Sequence, residues 1–171
     1  MEVICTTERL YLRRFDLADA AFLYELNADP EVMKYTGDSA FKDVADARLF
    51  LTNYLKSAPP NFSRWMVCLK ANKLAIGWCG LKLHADGVID LGYRLKQAYW
   101  GQGFATESAQ ACLDYGFNKL LVQEIIGRTA TANINSSNVL EKIGMKFYKF
   151  EACKGIDNAK IYKIRHKEYG H

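Results

Sequence analysis

Two glycines one residue apart, Gly101 and Gly103, lie in the stretch "QAYWGQGFATESAQACLDYGF" and are followed at once by an alanine-rich amphipathic segment. A β-rich segment, Val88 to Leu95, precedes them, so the glycines join a predicted strand to a predicted helix. Backbone N–H groups in such a loop point into one concavity, and the following helix adds the positive end of its dipole. The context predicts an anion site, whereas a glycine pair by itself is equally typical of a simple turn.

Two common kinds of phosphate-binding loop do not fit this stretch. A nucleotide P-loop ends in Gly-Lys-Ser/Thr, which is missing here. A dinucleotide loop needs a third glycine where Thr106 stands and lies tight against its strand, whereas residues 96–100 intervene in this chain. In a dinucleotide site, the acidic residue that binds the ribose lies at the end of a strand. Glu124 is the acidic residue at about the right distance, but it lies at the start of a predicted strand. The phosphate must therefore belong to another kind of ligand.

The strands and helices that position this loop predict an α/β sandwich of mixed strand direction, with residues 1–171 forming a single domain. Alternating apolar residues predict a first strand over residues 9–15 and an antiparallel meander of three strands between residues 64 and 96. Asp16 and Asp43 precede two long helical patterns, and Asp29-Pro30 opens a short helix. After the helix that follows the loop, the sequence predicts a strand, a helix and two closing strands.

Composition excludes several classes of protein. The 171 residues carry a net charge of +4 without a dense basic run, which suits an anionic ligand but argues against a nucleic-acid partner. Five cysteines at wide spacings predict neither a disulfide framework nor a metal site, and they favour a reducing cytoplasm. We expect no signal peptide and no membrane partner, because no apolar run is long enough to cross a bilayer.

Three segments in the same order resemble the GNAT acetyltransferases, and in particular the branch of the ribosomal-protein alanine N-acetyltransferases. "YWGQGFATES" is similar to the coenzyme A pyrophosphate loop, "TERLYLRRFDLADAAFLYELNADPEVMKY" to the opening of the family, and "TANINSSNVLEKIGMKF" to its closing Asn-x-x-Ser helix. The resemblance implies an α+β fold with a mostly antiparallel sheet of about seven strands and about four helices. It also implies a splay between strands four and five, and acetyl-CoA as cosubstrate.

By the same resemblance, backbone groups of the splayed strand bind the pantetheine arm at Tyr93, Arg94 and Leu95. Backbone N–H groups bind the pyrophosphate from the loop and the first helical turn: Gly101, Gln102, Gly103, Phe104, Ala105 and Thr106. Gly103 matters most, because a Cβ there would block close approach of the backbone. Asn133 is implied to hydrogen-bond the pantetheine arm and Ser136 to protonate the leaving thiolate, although Ser136 is also typical of a helix N-cap.

The first loop position, usually Gln or Arg in the family, is Trp100 here. An indole cannot serve as a charged phosphate ligand, so we expect Trp100 to pack beside the loop. Any direct side-chain contact with the phosphates must then come from elsewhere, and the candidates are Arg128, Lys142 and Lys146.

Catalytic side chains are less clearly marked. Many GNAT enzymes have a tyrosine as general acid four positions after the serine, but Leu140 stands there, and a hydrocarbon cannot protonate a thiolate. Asp90 is the predicted general base, with the alternative that it is a solvated carboxylate or an ion-pair partner of Arg94. Glu107 lies in the first turn of a predicted helix, where the helix dipole stabilises a carboxylate whether or not it has a catalytic task. His84 belongs to no motif in the sequence.

The amine acceptor is predicted to be a protein or peptide N-terminus. Attack on a thioester needs a neutral amine, which is easier for an α-amino group with a pKa near ~8 than for lysine near ~10.4. The alternatives are a small amine such as a polyamine, an amino acid or an aminoglycoside, and a non-catalytic acyl-CoA-binding module. Acceptor choice is expected to depend on residues 36–42 and 154–160, and either a monomer or a homodimer is compatible with the sequence.

Overall fold

The computed structural model describes residues 1–170, and its framework is one eight-stranded sheet with the strand order β1-β2-β3-β4-β5-β6-β8-β7. The strands are β1 Val3–Thr6, β2 Leu10–Arg13, β3 Arg64–Leu69, β4 Ala75–Leu83, β5 Ile89–Leu95, β6 Glu124–Ala130, β7 Lys146–Cys153 and β8 Ile156–Arg165. The α-helices are α1 Ala20–Ala28, α2 Pro30–Met33, α3 Val44–Ser57, α4 Phe104–Asp114 and α5 Ile134–Lys142.

Aspartate side chains begin the first three helical segments, as the sequence predicts. Asp16 caps a 3₁₀ turn that leads into α1, accepting a hydrogen bond from the N–H of Ala18 at 2.8 Å. Asp29 accepts from Glu31 N–H at 2.9 Å, with Pro30 in the first helical position, and Asp43 accepts from Asp46 N–H at 2.8 Å. Each carboxylate satisfies a backbone donor that the helix itself leaves unpaired.

The strand that the sequence analysis did not identify is β1, which raises the sheet from about seven strands to eight. It has four residues, one register irregularity against β2 and no alternation of buried and exposed side chains. A segment this short has no periodic signal, and its pairing with β2 depends on tertiary contact. Residues 1–170 contain five α-helices, including the short helix α2 predicted at Asp29-Pro30, where the family resemblance implied about four.

The two faces of the sheet are covered by different helices. Apolar side chains of α4 and α5 pack against a core that includes Trp65, Leu91 and Phe117. The opposite face meets α1 and α3, where Asn27 of α1 contacts Arg94 of β5 and Tyr54 of α3 contacts the backbone of Arg64. Alternation along β5 therefore sends Leu91, Tyr93 and Leu95 towards α4 and α5, and Asp90 and Arg94 towards α1 and α3.

The sheet opens between β5 and β6. These strands run parallel and pair only at Asp90 with Ile126 and at Leu91 with Gly127, whereas every residue of β5 pairs with β4. Beyond the two pairs, residues 92–95 of β5 and residues 128–130 of β6 diverge, and we call the opening between them the V. The predicted splay between strands four and five is confirmed at this position, since β1 shifts the numbering by one.

Candidate active site

The glycine loop lies at the end of the V where β5 leads into α4. Gly101 has φ +70° and Gly103 has φ +81°, a left-handed conformation that glycine adopts without strain, and Gly103 is the N-cap of α4. Glu107 is the first helical residue whose N–H bonds back along the helix, to the carbonyl of Gly103 at 2.9 Å. The N–H groups before it therefore face the space above the loop, which carries the positive end of the helix dipole.

Trp100 joins the loop to the end of β5. Its indole Nε1–H donates to the carbonyl of Leu95 at 2.9 Å, while 41% of the residue remains exposed. The side chain of Gln102 makes a similar local bond, from Nε2 to the carbonyl of Ala98 at 2.9 Å. Trp100 thus fixes the geometry of the loop relative to the splayed strand.

Arg9 is the cationic side chain nearest this loop, and the sequence analysis did not identify it. Its NH1 donates to the carbonyl of Gln102 at 3.0 Å, its Nε donates to Glu107 at 2.7 Å, and its guanidinium lies 4.2 Å from the ring centroid of Phe104. A Cβ added to Gly103 would lie 3.3 Å from Arg9 NH2, so Arg9 borders the loop directly. More than 90 residues separate Arg9 from the loop, and no local pattern in the sequence joins the two.

Glu107 acts here as a tether between α4 and the turn that joins β1 and β2. One oxygen accepts from Thr7 Oγ1 and from Arg9 N–H, and the other accepts from Arg9 Nε. Partial burial alone would raise the pKa of this carboxyl, but the hydrogen bonds from Thr7 and Arg9 hold its pKa below the ordinary value. A carboxylate with these partners has a structural task, as the dipole argument from the sequence suggested.

Tyr93 and Ser136 bridge the V on the side of α4 and α5. The Tyr93 hydroxyl lies 2.9 Å from the carbonyl of Ser136 and 3.0 Å from its Oγ. The phenol has one hydrogen and a carbonyl only accepts, so both contacts are satisfied when Tyr93 donates to the carbonyl and Ser136 Oγ–H donates to Tyr93. Burial raises the pKa of Tyr93 and keeps the phenol neutral.

Asn133, rather than Ser136, is the N-cap of α5. Its Oδ1 accepts from the N–H of Ser136 at 3.2 Å. The side chain of Ser136 is thereby free to face Tyr93. Asn133 and Ser136 lie together at the start of α5, above the V.

Leu140 has a packing role in this chain. It is 1% exposed, and its Cδ2 occupies the place where a Cβ on Gly127 would lie, at 2.8 Å. Because Gly127 of β6 has no side chain, Leu140 of α5 packs directly against the strand backbone, and the helix lies close to the strand. No hydroxyl is available at this position.

Asp90 lies in a cluster of cations at the closed end of the V. Its Oδ1 accepts from Arg64 NH2 at 2.7 Å, and its Oδ2 lies 3.1 Å from His84 Nε2 and 3.2 Å from Arg128 NH1. Burial would raise the pKa of the carboxyl, but Arg64 and His84 hold it below the ordinary value. A carboxylate so stabilised is a weak proton acceptor, so these surroundings favour a structural role for Asp90. The form of that role differs from the expected one, because Asp90 is buried rather than solvated and pairs with Arg64 and Arg128 rather than with Arg94.

Arg94 pairs with Asp38 rather than with Asp90. Its NH2 lies 2.8 Å from Asp38 Oδ2, and its NH1 donates to Asn27 at 2.9 Å. Asp38 also pairs with Lys154 at 2.8 Å, so the segments 36–42 and 154–160 are joined to each other and to β5. A Cβ on Gly37 would lie 2.2 Å from the carbonyl oxygen of Lys154, which requires glycine at this contact.

The remaining polar side chains that the sequence singles out lie away from the V or in its cationic cluster. Arg128 contacts Asp90 and His84 instead of the loop, and Lys142 and Lys146 belong to the end of α5 and the start of β7. Of the two other histidines in the chain, His166 stacks on Phe117 at 5.5 Å between centroids, and His171 lies outside the described residues.

The cysteines are free thiols, and Cys79 and Cys112 are fully buried with a Sγ–Sγ distance of 3.5 Å. Burial raises the pKa of Cys112 well above its ordinary value, which makes it a poor nucleophile. Across residues 1–170 the structure contains no group of three or more side chains that could hold a metal ion, and no helix long and apolar enough to cross a membrane.

Comparison with known proteins gives the family. Residues 9–146 match the family model described as an acetyltransferase (GNAT) domain, which is most of the chain. The chain belongs to the GNAT acetyltransferase family. As a member of it, this protein is an acetyl-CoA-dependent N-acetyltransferase that acts on an amine acceptor.

Relatives and solved structures agree with this assignment. An uncharacterized N-acetyltransferase of Bacillus licheniformis is 32% identical over 172 residues, covering 95% of this chain and 96% of the relative. An FsC-acetyl coenzyme A-N(2)-transacetylase of Aspergillus fumigatus is 28% identical, covering 95% of this chain and 76% of the relative.

Among solved structures, a GNAT-family acetyltransferase of Bacillus anthracis has a TM-score of 0.83 at 26% identity, covering 98% of this chain and 99% of its own. The spermidine N-acetyltransferase of Vibrio cholerae, solved with CoA and spermine, has a TM-score of 0.82 at 19% identity, covering 96% and 100%. At that identity the second likeness shows the fold alone.

Proposed function

We propose that this GNAT enzyme acetylates the α-amino group of a protein or peptide N-terminus, by direct attack of the amine on acetyl-CoA in a ternary complex. The observation that carries the proposal is the V. It joins a loop of outward-facing N–H groups at one end to a pair of hydroxyls, on Tyr93 and Ser136, along its wall.

The loop fits the pyrophosphate of the coenzyme. Two left-handed glycines leave the backbone uncovered, α4 begins directly behind them, and Arg9 supplies a positive charge beside them. We assign the pyrophosphate contacts to the N–H groups of Gly101, Gln102, Gly103, Phe104, Ala105 and Thr106. We assign the pantetheine arm to the V-side backbone of Tyr93, Arg94 and Leu95, where the Leu95 carbonyl already accepts from Trp100 Nε1, together with Asn133.

Acetyl-CoA supplies an activated acetyl group, and the chain has to position the amine and stabilise the leaving thiolate. The C–S bond breaks as the C–N bond forms. The attacking nitrogen gives its extra proton to water, and the thiolate takes a proton from the Ser136 hydroxyl, which water then reprotonates. In our proposal the Ser136 hydroxyl turns from the Tyr93 oxygen to the thiolate, at the cost of one internal hydrogen bond. Tyr93 then orients Ser136 through the carbonyl contact, and the missing hydroxyl at position 140 is compensated.

An α-amino acceptor suits the surroundings of Asp90. A carboxylate paired with two arginines, Arg64 and Arg128, cannot readily take a proton from a lysine ammonium, whereas an α-amino group is partly neutral near pH 8 without a strong base. Positioning the neutral amine against the thioester then provides much of the acceleration. Residues 1–171 work as one domain in this proposal, since a single sheet runs from Val3 to Arg165, and the free thiols suit a reducing cytoplasm.

Release of free thiol tests the proposal directly. The protein is incubated with acetyl-CoA and a panel of N-terminal peptides, matched peptides with a blocked N-terminus and an internal lysine, and small amines. We expect thiol release that requires a free α-amino group. Equal rates with the blocked lysine peptides would contradict the proposed acceptor, and fast turnover of small amines alone would favour the alternative of a small-molecule acetyltransferase.

A further inference from the structure

Three arginines line the face of the V that looks towards α1 and α3, and we call Arg64, Arg94 and Arg128 the cationic floor. Their side chains are 17%, 11% and 23% exposed, so their charges are only partly screened by water. Arg64 and Arg94 lie over the same ring, that of Trp78, at 5.5 and 5.1 Å. The pKa of Arg94 is lowered by burial and by the neighbouring charge of Arg64, despite its pairing with Asp38.

The carboxylates of the cationic floor are each shared between two permanent cations. Asp90 pairs with Arg64 and with Arg128, and Asp38 pairs with Arg94 and with Lys154. Four permanent cations therefore share two carboxylates. Lys154 is 78% exposed and its charge is largely screened, but the three guanidinium groups still exceed the two carboxylates by one charge.

The cationic floor lies where the two strands separate. Arg128 is the first residue of β6 beyond the paired segment, and Gly92 is the first such residue of β5. A Cβ on Gly92 would lie 2.7 Å from the guanidinium carbon of Arg64, so the guanidinium can occupy this position only because residue 92 is a glycine. The segments 36–42 and 154–160 reach the rim through Asp38 and Lys154. An acceptor that approaches past the rim formed by these joined segments meets the cationic floor.

Arg128 has capacity for a further anionic partner. Within residues 1–170 its hydrogen bonds to Asp90 and His84 both involve NH1. The rest of its guanidinium fork, which can grip a carboxylate with two parallel bonds, is not used in these contacts. A polyamine at the same place would instead meet positive charge.

We infer that the acceptor carries a carboxylate close to its reactive amine, and that the cationic floor, through Arg128, binds this carboxylate. The inference rests on the proposed function, in which the amine acceptor approaches acetyl-CoA from the face of the sheet that carries the cationic floor. The shared chemistry of the ligand is an amine with a neighbouring carboxylate, as in a peptide with an acidic second residue or a free amino acid. Spermidine and other polyamines are then poor acceptors.

The test compares acceptors that differ only in this charge. One arm uses peptides with Glu or Gln as the second residue, a second uses a free amino acid and its amide, and a third uses spermidine. We expect kcat/KM for the carboxylate to exceed that for the amide by about tenfold, the equivalent of roughly 1.4 kcal/mol. The first two arms distinguish a peptide acceptor from an amino acid.

Variants at Arg128 separate recognition of the acceptor from a general effect of charge. Arg128→Met should bring the acid and amide acceptors within about twofold of each other, and Arg128→Lys should restore part of the preference. Lys119→Met is the control, because Lys119 is exposed at the far end of the helical segment that follows α4. An equal loss of activity towards every acceptor in Arg128→Met would overturn the inference in favour of charge stabilisation during the reaction.

Binding measurements keep the inference testable if turnover fails. Isothermal titration of the Glu and Gln peptides onto the CoA-saturated protein should show tighter binding of the Glu peptide in the wild type and equal binding in Arg128→Met. No difference in the wild type overturns the inference. Absence of amine-dependent thiol release with every free N-terminus would contradict the proposed function instead, so the two failures are distinguishable.

Discussion

The Tyr93 hydroxyl of β5 lies 3.0 Å from the Ser136 hydroxyl of α5, and these two side chains connect the two walls of the V. The pair places a second hydroxyl beside Ser136, whereas the helix position where many GNAT enzymes have a tyrosine is Leu140 in this chain. Tyr93 comes from the strand and not from the helix, so the spacing along α5 gives no indication of it.

Replacing Tyr93 by Phe removes both hydrogen bonds to Ser136 and leaves the ring in place. We expect kcat to fall about fivefold, with KM for acetyl-CoA changed less than about twofold, because a net hydrogen bond is worth about 1 kcal/mol. Ser136→Ala should have a similar effect, and the double variant should lose little more than either single one. Steady-state kinetics measure this, with Tyr148→Phe on the exposed face of β7 as control. A lower melting temperature with unchanged kcat would assign Tyr93 a structural role only.

Gly103→Val tests the loop. A Cβ at φ +81° strains the backbone and covers the N–H groups, so we expect the Kd for CoA to rise by tenfold or more, equivalent to about 1.4 kcal/mol. Gly87→Val is the matched control, since Gly87 has φ +85° with no atom within 4 Å of an added Cβ. Isothermal titration gives both affinities. Equal losses of affinity would show that strain, rather than the coverage of the loop, is responsible.

Arg9→Met tests the side chain that borders the loop. The substitution removes the hydrogen bonds to Gln102 and Glu107 together with a positive charge. We expect CoA to bind about three- to tenfold more weakly. The loss of affinity should be larger at low salt, because salt screens the attraction between Arg9 and the phosphates. Arg14→Met is the control, because Arg14 pairs with Glu2 elsewhere on the same segment. Titration of CoA at two salt concentrations is the measurement. An unchanged affinity would contradict a phosphate role for Arg9.

Asp90 predicts a pH dependence of stability. Its pKa is lowered in the folded protein, so its stabilising contribution is fully present above the ordinary value near 3.8 and is lost as the pH falls through the folded value. Asp90→Asn should cost about 3 kcal/mol at pH 7, because it leaves buried cations without their carboxylate, and its loss of stability in acid should be smaller than in the wild type.

Urea unfolding between pH 7 and pH 3 measures this difference. The carboxyls of Asp38, Glu107 and Glu124, whose pKa values are also lowered, titrate in both proteins and cancel in the comparison. Asp157→Asn on the exposed side of β8 should behave like the wild type. Parallel acid curves for wild type and Asp90→Asn would contradict the ion-pair role.

Asp38→Asn should loosen the rim of the acceptor side. It weakens the bonds from Arg94 and Lys154 that join the segments 36–42 and 154–160, so amide exchange in both segments should accelerate. KM for the amine should rise several-fold while CoA affinity is unchanged, because the glycine loop is held by other contacts. The exposed Glu8→Gln is the control. Faster exchange without any change in KM would separate these segments from acceptor binding.

The sequence by itself determined the local features: three aspartate-capped helices, the antiparallel meander, and a glycine loop between a strand and a helix. These depend on neighbours along the chain, so turn residues and apolar periodicity predict them. The resemblance to the GNAT family likewise depended on three stretches that each lie in one segment. It also gave the position of the splay, which the sparse pairing of β5 with β6 confirms.

Only the tertiary structure decided which distant side chains meet. Arg9 reaches a loop more than 90 residues away, Arg94 takes Asp38 rather than Asp90 as its partner, and Tyr93 meets Ser136 across the V. Strand alternation indicates which face a residue occupies, but not which helix or loop covers that face. Charged side chains pair with whichever opposite charge the packed chain brings within reach, so the cationic floor and its excess charge exist only in the folded protein.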